Sequence, residues 1–260
     1  MQEDLFRPKR LEYVGILTDY HPDHRGKCKS HLLKDEAGTE YVGKTNQPDH
    51  PFLVANEYIS YELLKLLNLP VPKGFLYTRN GDTFFLSEYR KNAKKLLAYS
   101  PDTIIPLIRN WEDLIGIVCF DVWVMNYDRH QNNVLICEDS KVDTFFAIDH
   151  DRALFNMCPD ESRLMFRHNL PANAFVNRNL LPALTPLIDS FTKLIPFIER
   201  IQNITADQMK AVIHDQAGKL LEQKYQDKLL TVLTERKDKL QDYLTQISRS
   251  GLFPKMKILP

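Results

Sequence analysis

Residues Asn126 to Asp151 read NYDRHQNNVLICEDSKVDTFFAIDHD. Two short apolar runs, Val134 to Cys137 and Thr144 to Ile148, flank the polar stretch Glu138 to Asp143. Apolar runs of this length around a charged turn predict a β-hairpin. Asn133 stands where the first strand begins and Asp149 where the second ends, so closing the hairpin sets the two side by side. Asp128 lies five residues before Asn133, in the loop that enters the hairpin.

Taken singly, Asp128, Asn132 and Asn133 are ordinary loop residues, and Asp149-His150-Asp151 would serve as a helix cap or a salt-bridged turn. Their arrangement about one hairpin is what a metal–triphosphate site needs. Phosphoryl transfer asks for a carboxylate that orients and deprotonates an acceptor hydroxyl, and for oxygen ligands that hold magnesium against the phosphates. Asp128 fits the first task. Asn133 and Asp149 fit the second, because magnesium takes carboxylate and amide oxygens and keeps several waters. The D-x-x-x-x-N spacing, with a metal-binding Asp after a short hairpin, is shared with the protein-kinase catalytic loop.

The pattern N-x-D-R-H-x-x-N followed by I-D-H resembles the HipA-like kinases, bacterial Ser/Thr kinases with the two-lobed protein-kinase fold. The D-R-H-x-x-N core is also similar to that of the phosphoinositide kinases. Two features depart from ordinary protein kinases. Arg129 and His130 follow the catalytic Asp, where ordinary kinases have His and Arg before it. His150 and Asp151 replace Phe and Gly after the metal-binding Asp, so activation through a mobile Phe does not carry over. The resemblance implies an α+β fold with a β-rich lobe over residues 1–90, a mainly helical lobe over 91–260, and ATP and Mg2+ between them. It further implies a protein substrate carrying a Ser or Thr hydroxyl, and an antitoxin or other regulatory partner.

Upstream, Leu11 to Leu17, Lys29 to Leu33 and Glu40 to Lys44 read as strands, the last two joined by the turn KDEAGT. The stretch TDYHPDHRGKCKS after the first strand has no G-x-G-x-x-G. In the HipA-like pattern a less glycine-rich loop covers the phosphates, which makes Gly26 and Ser30 candidates; a plain surface loop is the alternative. Lys44 ends the strand Y-V-G-K, and the resemblance assigns it to the α and β phosphates. Val54 to Leu67 predicts a helix, with Ala55, Ile59, Leu63 and Leu66 as its apolar stripe. Glu57 lies away from that stripe, near Tyr61 and Leu64, on a face that is not plainly solvated. The resemblance pairs it with Lys44. Leu69-Pro70-Val71-Pro72 stops the helix. Gly74 to Tyr77 and Thr83 to Glu88 form a hairpin around Asn80-Gly81. Glu88 and Tyr89 then fall at the hinge, where backbone groups would meet the adenine edge.

From Lys91 onward the chain reads as mostly helical. Trp111 to Asn126 is apolar almost all round and predicts a buried helix that delivers the catalytic loop. Asp121 inside it must be paired or hydrogen-bonded, and Arg129 and His130 are expected to anchor the loop. Arg152, Arg163 and Arg167 are candidates for binding an acidic substrate or a phosphorylated residue, with solvated surface as the alternative. Helices are expected over 187–201, 206–223 and 225–247.

Composition narrows the classes further. With 34 basic and 34 acidic residues the net charge is zero, which removes any overall electrostatic drive toward nucleic acid. Cys28, Cys119, Cys137 and Cys158 lie far apart without a C-x-x-C, so no zinc site or disulfide framework is indicated, as expected in a cytoplasmic protein. MQEDLFRPKR has no apolar signal core, and the run Leu114 to Met125 is too short for a bilayer. Three alternatives stay open: a lipid or small-molecule kinase on the same fold, a nucleotide-binding pseudokinase acting as an interaction module, and nucleotidyl transfer.

Overall fold

In the computed structural model the described residues are 11–17, 30–138, 143–156, 161–184 and 187–253. The first part is a five-stranded antiparallel sheet in the order β1-β2-β3-β5-β4. Its strands are β1 (Leu11–Leu17), β2 (Ser30–Asp35), β3 (Glu40–Thr45), β4 (Gly74–Arg79) and β5 (Asp82–Glu88). The β4–β5 turn has positive φ at both Asn80 (53°) and Gly81 (87°). That is the geometry of a tight hairpin turn and explains the Asn-Gly pair.

Helix α1 (Leu53–Leu66) sits between β3 and β4 in sequence and lies against the sheet. No side chain of its own N-cap closes its start; instead the Val54 N–H donates to Asn46 Oδ1 at 2.9 Å. At its other end Asn68 adopts φ 51°, the Leu69 N–H bonds Leu64 O, and the Asn68 N–H bonds Lys65 O. This is a Schellman stop with Asn in the left-handed position, and Pro70 follows. Residues 53–64 of α1 are all buried. Tyr58 and Tyr61 pack on Phe85 of the sheet, with ring centroids 6.3 and 5.6 Å apart. The opposite sheet face has its own small cluster of Leu11, Leu33, Tyr41 and Leu86.

A second sheet of three strands, ordered β6-β7-β8, carries the hairpin: β6 (Ala93–Lys95), β7 (Val134–Cys137) and β8 (Thr144–Ala147). β6 was not expected from the sequence, because three residues carry no periodicity. Around these strands stand α2 (Pro101–Ile104), α3 (Asp113–Trp123), α4 (Glu161–His168), α5 (Leu181–Leu184), α6 (Ile195–Gln202), α7 (Ala206–Lys210), α8 (Gln223–Asp238) and α9 (Leu240–Arg249). One continuous apolar core runs from α1 through α3 to α8 and α9. Three expected helices are shorter or divided. The 187–201 segment holds only a 3-10 turn and α6; 206–223 is α7 and one π-helical turn, Ala211–Gln216; and 225–247 breaks at Lys239 into α8 and α9.

α3 is buried along residues 114–123 and packs against α6, α8 and α9. Its last carbonyls have no partners within the helix, and burial makes that costly. Each finds a donor elsewhere. Asp121 O accepts from the Asn126 N–H at 2.8 Å and Val124 O from the Leu154 N–H at 2.8 Å. Val122 O and Trp123 O accept from the guanidinium of Arg236, at 2.5 and 2.9 Å. Met125 O accepts from Arg167 Nη2. Met125 itself is left-handed (φ 61°), a strained state for a non-glycine residue that persists only when its surroundings fix it. Two cations at the negative end of the helix dipole supply part of that restraint. Arg236 is fully buried, and burial lowers its pKa to about 10. It lies between Phe175 and Tyr243, 5.0 and 4.6 Å from the ring centroids. Arg236→Met keeps the apolar contacts and orphans two buried carbonyls. It should lower the unfolding free energy by about 3 kcal/mol in a urea titration.

Candidate active site

The loop that carries Asp128 leaves α3 through a network centred on one guanidinium. Arg129 Nε lies 3.0 Å from Asp121 Oδ2, and its Nη2 bonds Asp121 Oδ1 at 3.3 Å. Its Nη1 donates to Asn133 O at 2.9 Å and also to Ile148 O. Both side chains are almost wholly buried. One residue thus ties α3 to the start of β7 and to the residue before Asp149. Asn126 completes the frame, donating to Asp121 Oδ1 at 2.9 Å and accepting from the Asp128 N–H at 3.1 Å. Asp121 is the paired, bracing residue that its place inside an apolar helix requires.

Hairpin closure brings Asn133 and Asp149 together, with the Ile148 N–H donating to Asn133 O at 3.1 Å. The Asn133 amide nitrogen donates to Asp128 O at 2.9 Å, which leaves its side-chain oxygen as the group able to take a cation. Asp149 is left-handed (φ 63°), a state Asp tolerates better than most residues. Its Oδ1 accepts from Lys44 Nζ at 2.6 Å. Lys44 Nζ also lies 2.5 Å from Glu57 Oε1, and His150 Nδ1 is 3.7 Å from Glu57 Oε2. Lys44 and Glu57 are 13% and 4% exposed, whereas Asp149 and Asp128 keep 32% and 34%. The two acids therefore face an open side, and the Lys–Glu pair backs them from within.

Electrostatics follow from this layout. Burial pulls the Lys44 pKa down, but Asp149, Glu57 and Asp151 together raise it well above the ordinary lysine value. Burial pushes Glu57 up, and Lys44 more than reverses this. Asp149, likewise opposed by burial, is held below the usual carboxylate range chiefly by Lys44. Asp128 goes the other way: burial raises it, with Arg152 and His130 opposing. One carboxylate is thus held as a firm anion while the other is the better proton acceptor.

Among the described residues no group of three or more His, Cys, Asp or Glu side chains is placed to hold a metal ion. The donor set is one carboxylate and one amide, which suits magnesium held jointly by protein, phosphates and water. Ser30 opens β2 directly opposite Lys44 in the β2–β3 register. Gly26 lies outside the described residues. Glu88 ends β5 and Tyr89 follows it, but their N–H groups donate to Lys73 O and Glu40 O, each at 2.8 Å. Those amides are committed to the sheet, which corrects the expectation that they meet an adenine edge; the carbonyls remain. Arg167 is also corrected: it is 5% exposed and bonds backbone carbonyls, so it is no surface anion receptor. Sequence reasoning missed Asn56 on α1. Its side chain donates to Asp151 O and Asn156 O, at 2.7 and 3.0 Å, and accepts from the Phe155 N–H at 3.2 Å. Adjacent α1 residues thus serve different partners, Glu57 the lysine and Asn56 the segment after Asp149.

A β-sheet part, a helical part, an α1 Glu–Lys pair and a D-x-x-x-x-N loop before a hairpin define a protein-kinase-like fold of the HipA type. Residues 82–251 match the LepB N-terminal domain, and the chain belongs to that family. Among solved structures, the Helicobacter pylori proinflammatory kinase CtkA superposes with a TM-score of 0.57 at 19% identity, over 85% of this chain and 95% of that one. HipA of Shewanella oneidensis MR-1, solved with HipB and its operator DNA, gives 0.50 at 15% identity, over 89% of this chain and 66% of that one. No curated protein matches the sequence. No helix among the described residues is long and apolar enough to cross a membrane.

The Asp121–Arg129 pair makes a direct prediction. Asp121→Ala leaves a buried guanidinium uncompensated and should cost about 3–5 kcal/mol by chemical denaturation. Asp121→Leu combined with Arg129→Met should recover only part of that loss, because the carbonyls of Asn133 and Ile148 then lose the Arg129 donor.

Proposed function

We propose that this chain is an ATP- and magnesium-dependent phosphotransferase of the Ser/Thr protein-kinase type, with ATP between the β-sheet part, to about residue 90, and the helical part. The observation that carries this reading is the double engagement of Lys44. Its ammonium bonds Glu57 at 2.5 Å and Asp149 at 2.6 Å, joining sheet, α1 and hairpin at one point. A lysine held in this way is oriented to receive phosphate oxygens.

Lys44 binds the phosphates, and Glu57 keeps its ammonium in place. Ser30, opposite Lys44 in the strand register, is one candidate for meeting the phosphates, and Gly26 is the second. The carbonyls of Glu88 and Tyr89 serve the adenine edge. Asn133 and Asp149 would hold magnesium through their side-chain oxygens. Bound there, the ion would neutralise charge on the phosphates. Asp128 accepts the proton of the acceptor hydroxyl. The acceptor is a Ser or Thr of a protein, as in the HipA-like pattern. The HipA neighbour was solved with HipB and operator DNA. A regulatory partner of the antitoxin kind is accordingly part of the proposal, as is a cytoplasmic location.

The test is intact mass after incubation with magnesium and ATP, alone and with a cytosolic protein extract. Wild type is run beside Asp128→Asn and Asp149→Asn. A phosphate-sized addition that falls at least about 100-fold in both variants is expected. A nucleotide-sized addition would make the reaction nucleotidyl transfer. ATP binding with no labelled protein would turn the assignment to a lipid or small-molecule acceptor, or to a pseudokinase. No ATP binding would overturn the proposal.

A further inference from the structure

Arg152 is a charged side chain of the site to which the reaction above gives no task. It follows Asp149-His150-Asp151 and reaches back to the catalytic loop, where its Nε lies 3.4 Å from Asp128 Oδ2. Its Nη1 donates to the Tyr127 hydroxyl at 2.9 Å, and the guanidinium lies 5.9 Å from the Tyr127 ring centroid. Tyr127 is fixed in turn, its hydroxyl donating to Asn156 Oδ1 at 3.2 Å. The backbone beneath is equally fixed. Arg167 Nη2 donates to Arg152 O at 3.1 Å, and Asn56 holds the preceding carbonyl of Asp151 at 2.7 Å. Yet the side chain keeps 25% exposure beside the open carboxylate of Asp128. Head and backbone are both placed before any ligand arrives. A guanidinium held this way presents a planar fork that matches phosphate oxygens. Donors fixed in advance act most strongly where charge develops during reaction.

We propose that Arg152 is a catalytic residue whose guanidinium, resting on Asp128 and Tyr127, donates to the phosphoryl group as it moves to the acceptor. The inference rests on the kinase reading above. In that step the bond between the γ-phosphorus and the β,γ-bridging oxygen breaks, and its electron pair leaves with ADP. A bond forms between the acceptor oxygen and the γ-phosphorus, and the hydroxyl proton passes to Asp128. The moving group spreads negative charge over its three equatorial oxygens. Lys44 is engaged by Glu57 and Asp149, so the cation at the acceptor side, against Asp128, is a different one. Two cations divide the work: Lys44 holds the nucleotide, and Arg152 follows the group that leaves it.

The experiment measures phosphoryl transfer and ATP affinity together, for wild type, Arg152→Ala, Arg152→Lys and Tyr127→Phe, with thermal melting as the check on folding. Arg152→Ala should lower transfer about 100-fold or more and leave ATP affinity within about threefold of wild type. Arg152→Lys, which keeps the charge without the fork, should recover at least about tenfold of that loss. Tyr127→Phe keeps the ring and removes one anchor, and should cost about tenfold. Transfer within about threefold of wild type in Arg152→Ala would overturn the inference while leaving the kinase reading intact. So would an equal loss of ATP affinity, which marks ground-state binding, or a rise in acceptor KM alone, which marks acceptor binding. A wild type that transfers no phosphoryl group would remove the kinase reading and this inference together.

Discussion

The buried pair of Arg129 and Asp121 is the constraint from which the site takes its shape. A buried ion pair adds little to stability when compared with well-packed apolar groups. Its value here is geometric. The guanidinium has more donors than Asp121 can accept, and it spends the others on the carbonyls of Asn133 and Ile148. Those carbonyls bracket the hairpin whose ends carry Asn133 and Asp149. The helix, the loop and the hairpin therefore share one anchor. The loop beneath Asp128 is further tied through Asn126, which bonds the same Asp121 carboxylate.

A second layer holds the anchor itself. α3 ends in a left-handed methionine, and its final carbonyls are met by Arg236 from α8 and Arg167 from α4. The helices after the hairpin thus do more than enlarge the core: they satisfy the polar end of the helix that leads into the Asp128 loop. On the other side, α1 carries Glu57 to Lys44 and Asn56 to the segment after Asp149. Since α1 belongs to the same continuous core as α3, sheet and helices are joined through apolar packing as well as through ion pairs.

The fold and much of the site could be read from local pattern. The hairpin was visible because strand length, charged turn and apolar runs coincide within 26 residues, Asn126 to Asp151. Local pattern put Lys44 at a strand end and Glu57 in a helix, but their pairing came from the kinase resemblance; the two side chains meet at 2.5 Å. What escaped was long-range or against type. Arg236 sits on a helix whose polar residues are mostly surface, and nothing near it signals that it bonds carbonyls over 100 positions away. Arg167 looked like a surface cation for the same reason. The amides of Glu88 and Tyr89 could not be allotted without strand register, which commits both to neighbouring backbone. The break at Lys239 was hidden because apolar spacing runs on across it, from Leu233 to Leu240 and Leu244.

Lys44 is shared between Glu57 and Asp149, and that sharing holds the Asp149 pKa down at a site where burial opposes it. In the proposed function the same carboxylate has a second cation to hold. The most direct measurement is ATP affinity by calorimetry, with magnesium and with chelator, for wild type and Asp149→Asn. The expected result is that magnesium tightens binding to wild type by at least about tenfold, near 1.4 kcal/mol, and that this gain disappears in Asp149→Asn. An affinity indifferent to magnesium, or a gain that survives the substitution, would contradict the assignment of Asp149 as the metal-holding group.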